Sequence, residues 1–101
     1  MIAMHQEPNL ELGEGVFVIL FHARWCGTCR SVTRHLTELE DEMGFRGVLV
    51  DVELLPLVTK GFRIKGVPIL VITKDGIEID RVGGSLTKIE LRQWLLESNV
   101  I

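Results

Sequence analysis

The chain has 101 residues, a length that suits one domain around one buried core. Hydrophobic residues make up 47% and charged residues 25%, which argues against a chain disordered throughout. The formal net charge is −3, with both signs spread along the chain and no basic patch interleaved with aromatics, so no nucleic-acid partner is expected.

Met1 to Gly15 lacks a basic start, and Glu7, Pro8, Asn9 and Glu11 interrupt any apolar run, unlike a signal peptide. No apolar stretch reaches the roughly 18 residues of a membrane span. The expected location is cytoplasmic, with no membrane partner. There, two nearby cysteines are more often catalytic or metal-binding than a structural staple. These first 15 residues carry the weakest pattern and are read as room for a marginal strand and a short helix.

Val16 to Phe21 is a continuous apolar run, rich in β-branched and aromatic residues. It reads as a strand buried on both faces, as in parallel sheets. Arg24-Trp25-Cys26-Gly27-Thr28-Cys29 follows. From Cys29 to Met43 the pattern turns helical, with Val32, Leu36, Leu39 and Met43 on one face. Glu38, Glu40, Asp41 and Glu42, late in this helix, read as a solvated face. Gly44 and Gly47 supply a stop, and Val48 to Val52 is a second strand, completing a βαβ unit.

Pro56 opens a short helix that ends near Gly61. Gly66-Val67-Pro68 leads into a third strand, Ile69 to Thr73. Asp75-Gly76 is a strong hairpin signal. Ile77 to Val82 then returns antiparallel, with apolar Ile77 and Ile79 alternating with Glu78 and Asp80. After Gly83-Gly84, Thr87 and Glu90 have capping-box spacing, and Leu91, Trp94 and Leu95 form the apolar face of a last helix. The order β-α-β-α-β-β-α predicts a mixed sheet with helices on both faces, over one domain spanning residues 1–101.

The chemistry sits where the first strand feeds the first long helix. Disulfide exchange needs a thiolate and a second thiol to resolve the mixed disulfide. At a helix start, unpaired N–H groups and the helix dipole stabilise the thiolate. Three-residue spacing on a helical turn sets Cys29 beside Cys26. Cys26, at the exposed tip, is expected to attack and Cys29, one turn in, to resolve. Gly27 gives the backbone freedom to bend and lets a substrate approach. Two core cysteines, or half a zinc site, are the alternatives. A structural zinc takes four ligands, and only His5, His22 and His35 are available to complete a set, with no second C-x-x-C and no H-x-x-x-H. No metal is expected.

These residues resemble the thioredoxin family from about Val16 to the C-terminus. Trp25-Cys26-Gly27-Thr28-Cys29 resembles the family's W-C-G-P-C, with Phe21 and Ala23 in their usual places before it. Gly66-Val67-Pro68 resembles its cis-proline loop, Lys74-Asp75-Gly76 its hairpin, and Val82-Gly83 the glycine closing its last strand. The resemblance implies the thioredoxin fold, an α/β architecture with a central mixed sheet of four to five strands flanked by helices on both faces. It implies a cis Pro68 lying against the two sulfurs. It further implies that Val67 offers its backbone to an extended substrate, and that Trp25 and Gly84 border a shallow groove completed by Gly27 and Thr28. The plainer reading of Trp25 is packing over the motif, and that of Trp94 is core packing.

The departures are informative. The family's buried Asp, six residues before the attacking cysteine, is Leu20 here. Leu20 takes no proton from Cys29, so resolution of mixed disulfides is expected to be slow. The family's Pro between the cysteines is Thr28. His22 stands where the family often has Trp, as a candidate proton acceptor or as a hydrogen-bonded scaffold histidine. Arg34 replaces the mid-helix Pro, so the helix should bend less. The short N-terminal region predicts a reduced or missing outermost strand.

The leading expectation is a monomeric protein-disulfide reductase, a thioredoxin-type electron carrier. It would act through the Cys26–Cys29 couple without a bound cofactor, on disulfide-containing protein substrates, and draw electrons from a thioredoxin reductase or another thiol donor. The alternatives are a specialised, glutaredoxin-like or partner-specific redox protein, and a non-enzymatic binding module that has kept the cysteines.

Overall fold

The computed structural model describes residues 1–4 and 14–101. Five strands and three helices follow in chain order: β1 Ile2–Ala3, β2 Val16–His22, α1 Gly27–Met43, β3 Arg46–Asp51, α2 Pro56–Gly61, β4 Ile69–Lys74, β5 Ile77–Gly83 and α3 Lys88–Glu97. The sheet order is β1-β3-β2-β4-β5. β3 runs parallel to β1 and β2, while β4 is antiparallel to β2 and β5 to β4, so the sheet is mixed. The outermost strand is present but reduced to two residues. The short helix anticipated in the first 15 residues falls on residues 5–13, outside the described ones, as does His5.

The continuous apolar run makes β2 the central strand. Val18, Ile19, Leu20 and Phe21 are fully buried because alternate residues feed opposite faces of the sheet. Val18 and Leu20 meet Leu70, Ile72 and the inner sides of α1 and α3, namely Val32, Leu36, Leu39, Leu91 and Leu95. Phe17, Ile19 and Phe21 meet Val48, Val50, Val71 and, from the α2 side, Leu55 and Val58. Two helices thus cover one face and one short helix the other. Met43, placed on the inner face from its spacing, is half-buried at the edge of the first cluster.

Both long helices begin where the side chains cap them. Thr87 and Glu90 form a complete capping box at the start of α3, as their spacing predicts. α1 starts two residues earlier than the apolar pattern suggests, at Gly27, because Cys26 is its N-cap. It ends on Gly44 at φ 79°, a left-handed conformation that glycine adopts without cost.

Two expectations need correction. The acidic end of α1 is not simply solvated, because α3 folds back across it. Lys88 bridges Glu38 and Glu42, each at 3.0 Å, and Arg92 reaches Glu42 at 2.6 Å. Arg92 first, then Lys88, holds the Glu42 carboxyl below its usual pKa. Glu40 is also engaged, accepting hydrogen bonds from the Met1 ammonium and the Gly47 N–H. Second, β5 does not keep its alternation. A register shift pairs Ile72 with Asp80 but Thr73 with Glu78, leaving Ile79 as an extra residue. Ile77 and Ile79 pack into no core and are 68% and 41% exposed on an edge strand. Asp80 instead accepts the Trp94 indole N–H at 3.0 Å, so Trp94 packs half-buried against the core with its polar edge bound.

Removing the cap at Thr87 should cost about 1 kcal/mol, and truncating Leu36 to Ala about 2–5 kcal/mol. Urea unfolding of Thr87→Ala and Leu36→Ala measures both. A Thr87→Ala midpoint equal to wild type would show that α3 is held by packing alone.

Candidate functional site

Cys26 and Cys29 are joined as a disulfide at the β2–α1 junction, with their Cα atoms 5.3 Å apart. The buried β2 fixes the junction from one side. A turn closed by the Cys26 N–H donating to the Ala23 carbonyl at 3.1 Å delivers Cys26 to the helix start. The Cys29 N–H then donates to Cys26 Sγ at 3.2 Å. This is the N-cap bond that Ser or Asp makes in other helices, here accepted by a sulfur. The Thr28 hydroxyl lies 3.5 Å from the same Sγ. Once the disulfide is reduced, a thiolate on Cys26 takes up the amide as a charge-assisted bond and sits at the positive end of α1.

Cys26 is not an exposed tip. It is 6% exposed and Cys29 3%, so burial barely distinguishes them. What distinguishes them is the donor set. Cys26 Sγ receives the amide and faces the Thr28 hydroxyl, whereas Cys29 receives no hydrogen bond at sulfur among the described residues. Ala23, Cys26 and Cys29 form a small apolar cluster with Val52 and Val67 packed against it.

Gly27 is the first helical residue, and its φ is not in the positive range. The backbone thus does not need a glycine to bend there. A Cβ would meet nothing within 4 Å, which leaves open space above the sulfur. Trp25 is 71% exposed and does not simply pack over the motif. It lines an open cleft of about 270 Å³ with Val52, Ile64, Lys65, Gly66 and Val67. Gly84 does not line that cleft. It sits at φ 105°, and its N–H donates to the Pro68 carbonyl at 3.2 Å, tying the end of β5 to the loop before β4. The Val67–Pro68 peptide bond is cis. Among the described residues, neither the N–H nor the C=O of Val67 has a hydrogen-bond partner, which leaves both free for an added strand.

A second cavity, about 440 Å³, is lined by both cysteines together with His22, Ala23, Arg24, Arg30, Thr33 and Leu49. Leu49 is the register partner of Leu20, which is fully buried under α1. Hydrocarbon therefore stands on both central strands at the level below the motif. His22 lines the cavity half-buried, and its ring makes no hydrogen bond to another described residue, so nothing ties it down as a scaffold histidine. The sequence reading overlooked Leu49. Its signal was present in the apolar β3 run, but only the strand register shows that it neighbours Leu20. His35 lies along α1 with an unpartnered Nδ1, and among the described residues no three His, Cys, Asp or Glu side chains gather to hold a metal.

The comparisons with known proteins agree with this geometry. Residues 5–97 match the family model for thioredoxin. The chain belongs to the thioredoxin family. It is 36% identical over 83 residues to a thioredoxin from Listeria monocytogenes, covering 80% of this chain and 81% of that protein. It is 30% identical over 74 residues to thioredoxin C-3 from Corynebacterium nephridii, of which it spans about half, 51%. Its fold superposes on a mutant thioredoxin from Halobacterium salinarum with a TM-score of 0.84, at 24% identity and covering 99% of this chain and 92% of that one. The thioredoxin fold and a protein thiol–disulfide oxidoreductase built on the Cys26–Cys29 pair follow from the family and from the disulfide together. No described helix of this thioredoxin-family chain is long and apolar enough to cross a membrane.

Because a hydroxyl donor favours the charged form, Thr28→Val should raise the Cys26 thiol pKa, while Thr28→Ser leaves it near wild type. Thiolate absorbance against pH in the reduced protein reads the difference. Equal curves for Val and Thr at this position would remove the hydroxyl from the account.

Proposed function

We propose that this chain reduces disulfides in protein substrates, acting in the cytoplasm as a monomer with no cofactor beyond its own cysteine pair. The observation that carries the reading is the Cys29 amide aimed at Cys26 Sγ beside the unpaired Val67 peptide. An extended substrate segment adds to Val67 between Trp25 and the loop before Pro68, with Gly27 and Thr28 beneath it and Gly84 holding that loop from behind.

The Cys26 thiolate attacks one sulfur of the substrate disulfide. A Cys26–substrate bond forms, the substrate S–S bond breaks, and the departing thiolate takes a proton from solvent. Cys29 then loses its proton and attacks Cys26 Sγ. The Cys26–Cys29 bond forms and the second substrate thiolate leaves. Two electrons pass to the substrate, and a thioredoxin reductase or a small thiol restores the dithiol.

A partner-specific form of the same activity is favoured by the Leu20–Leu49 pair. Apolar surroundings hold the proton on Cys29 more tightly, so the mixed disulfide lives longer. His22 and Cys29 line the same cavity, which supports His22 as the acceptor of that proton.

An NADPH-coupled assay with a bacterial thioredoxin reductase and an insulin-type disulfide tests the reading. Turnover is expected for wild type, none for Cys26→Ser, and accumulation of a mixed disulfide for Cys29→Ser. Folded wild-type protein that gives no turnover with either the reductase or a small thiol would favour the binding-module alternative. Leu20→Asp should speed release of the second substrate thiolate at neutral pH and lower stability, since it buries a carboxyl. Release as slow as wild type would show that a base at this depth is not what limits resolution.

A further inference from the structure

The charges around the sulfurs do not match the charge of the chain. The net charge is −3, yet Arg24 and Arg30 line the cavity that opens onto the cysteine pair, Lys65 lines the cleft of Trp25, Val52 and Val67, and no carboxylate stands in either lining. Val52 and Val67 pack against the cysteines, which sets that cleft beside them. All three cations are exposed, and none pairs with a carboxylate among the described residues. Arg81, Lys88 and Arg92, far along the chain, are each in an ion pair. Asp51, the register partner of His22, is buried, and its carboxylate accepts the Glu53 and Leu54 N–H groups at 2.9 and 3.2 Å. It is committed to its own loop and leaves the two arginines unneutralised.

α1 repeats the pattern along its length. Arg30 and Arg34 lie in its first half, and Glu38, Glu40, Asp41 and Glu42 in its second. No acid occupies the first turn and no base the last, the reverse of what the helix dipole favours. The carboxylates at the far end are drawn into contacts with α3, the Met1 ammonium and Gly47. The positive potential at the cysteine end is left open to solvent.

We propose that Arg24, Arg30 and Lys65 are specificity residues that select disulfides flanked by carboxylates in an acidic polypeptide segment. This rests on the disulfide-reducing activity proposed above. Unpaired cations at the mouth of a cleft raise the encounter rate of an anionic partner and slow that of a cationic one, and salt screens both effects.

The test uses two disulfide peptides of equal length, one with Asp and Glu beside the reacting cysteines and one with Lys at the same positions. The reduced protein is mixed with each at low and high salt, and the second-order rates are compared. The acidic peptide should react about tenfold faster or more at low salt, with the ratio approaching one at high salt. In Arg24→Glu/Arg30→Glu, and more so with Lys65→Glu added, the low-salt ratio should fall to one or invert. The ratio is the readout because a change in thiolate fraction multiplies both rates alike. Equal rates for the two peptides in wild type, or a ratio unmoved by the substitutions, overturns the proposal while leaving disulfide reduction intact. Failure to reduce either peptide overturns the activity on which it rests.

Discussion

The hydrogen bond from the Cys29 amide to Cys26 Sγ is the constraint around which the rest of the molecule is arranged. It caps α1, so the sulfur cannot move without fraying the helix. It also brings one of the N–H groups that α1 leaves without an intrahelical partner to the atom that must carry negative charge. The same contact thus serves folding and chemistry. Holding it requires β2 to end at a fixed point, and β2 does so because Val18 to Phe21 are buried on both faces of the sheet. It equally requires α1 to stay in register with that strand, which Val32, Leu36 and Leu39 ensure by sharing a core with Val18 and Leu20. A loop would leave the sulfur free to drift. A strand and a helix locked through one core do not.

The two cysteines become unequal through what surrounds them rather than through exposure. Cys26 receives donors, whereas the strands below Cys29 present Leu20 and Leu49. A donor favours a thiolate and hydrocarbon disfavours one. On the reading proposed above, the arrangement favours the first thiolate step over the second. A long-lived mixed disulfide suits a protein that must hold its partner before releasing it, and an unpaired cationic rim serves that selection at the encounter stage.

Much of this was legible in the residues alone. The apolar run of β2, the four-three-four spacing in α1 and the Thr87–Glu90 box are local patterns, and a strand, a helix and a capped helix start formed on them, α1 beginning two residues before its apolar pattern. The motif around Cys26, with Gly66-Val67-Pro68 and Val82-Gly83, carried the resemblance to the family that the family model confirms. What was not legible depends on contacts between distant segments. The bulge at Ile79 is a property of how β5 pairs with β4, so the alternation within β5 alone does not reveal it. The acidic end of α1 looked solvated because nothing local announces that Lys88 and Arg92 fold across it. Cys26 looked exposed because a helix tip usually is, but it shares a buried cluster with Ala23 and Cys29, against which Val52 and Val67 pack. Leu20 was visible as a departure, but its neighbour Leu49 came from strand register.

The charge order of α1 joins these threads. A charge of the unfavourable sign in a terminal turn costs a helix about 0.3–1 kcal/mol when exposed, and less in salt. A sequence shaped for stability alone would place acids near Cys26 and bases near Gly44. Here the bases stand at the sulfur end, and the acids at the far end are partly offset by Lys88 and Arg92 from α3. Exposed ion pairs of this kind contribute little each, so α3 softens the penalty without removing it. The remaining positive charge acts on Cys26 in the same direction as the helix N-terminus, and toward an incoming anionic segment in the same direction again. A weakness in the helix is therefore concentrated where it aids both thiolate formation and encounter, and the core beneath α1 supplies the stability that makes it tolerable.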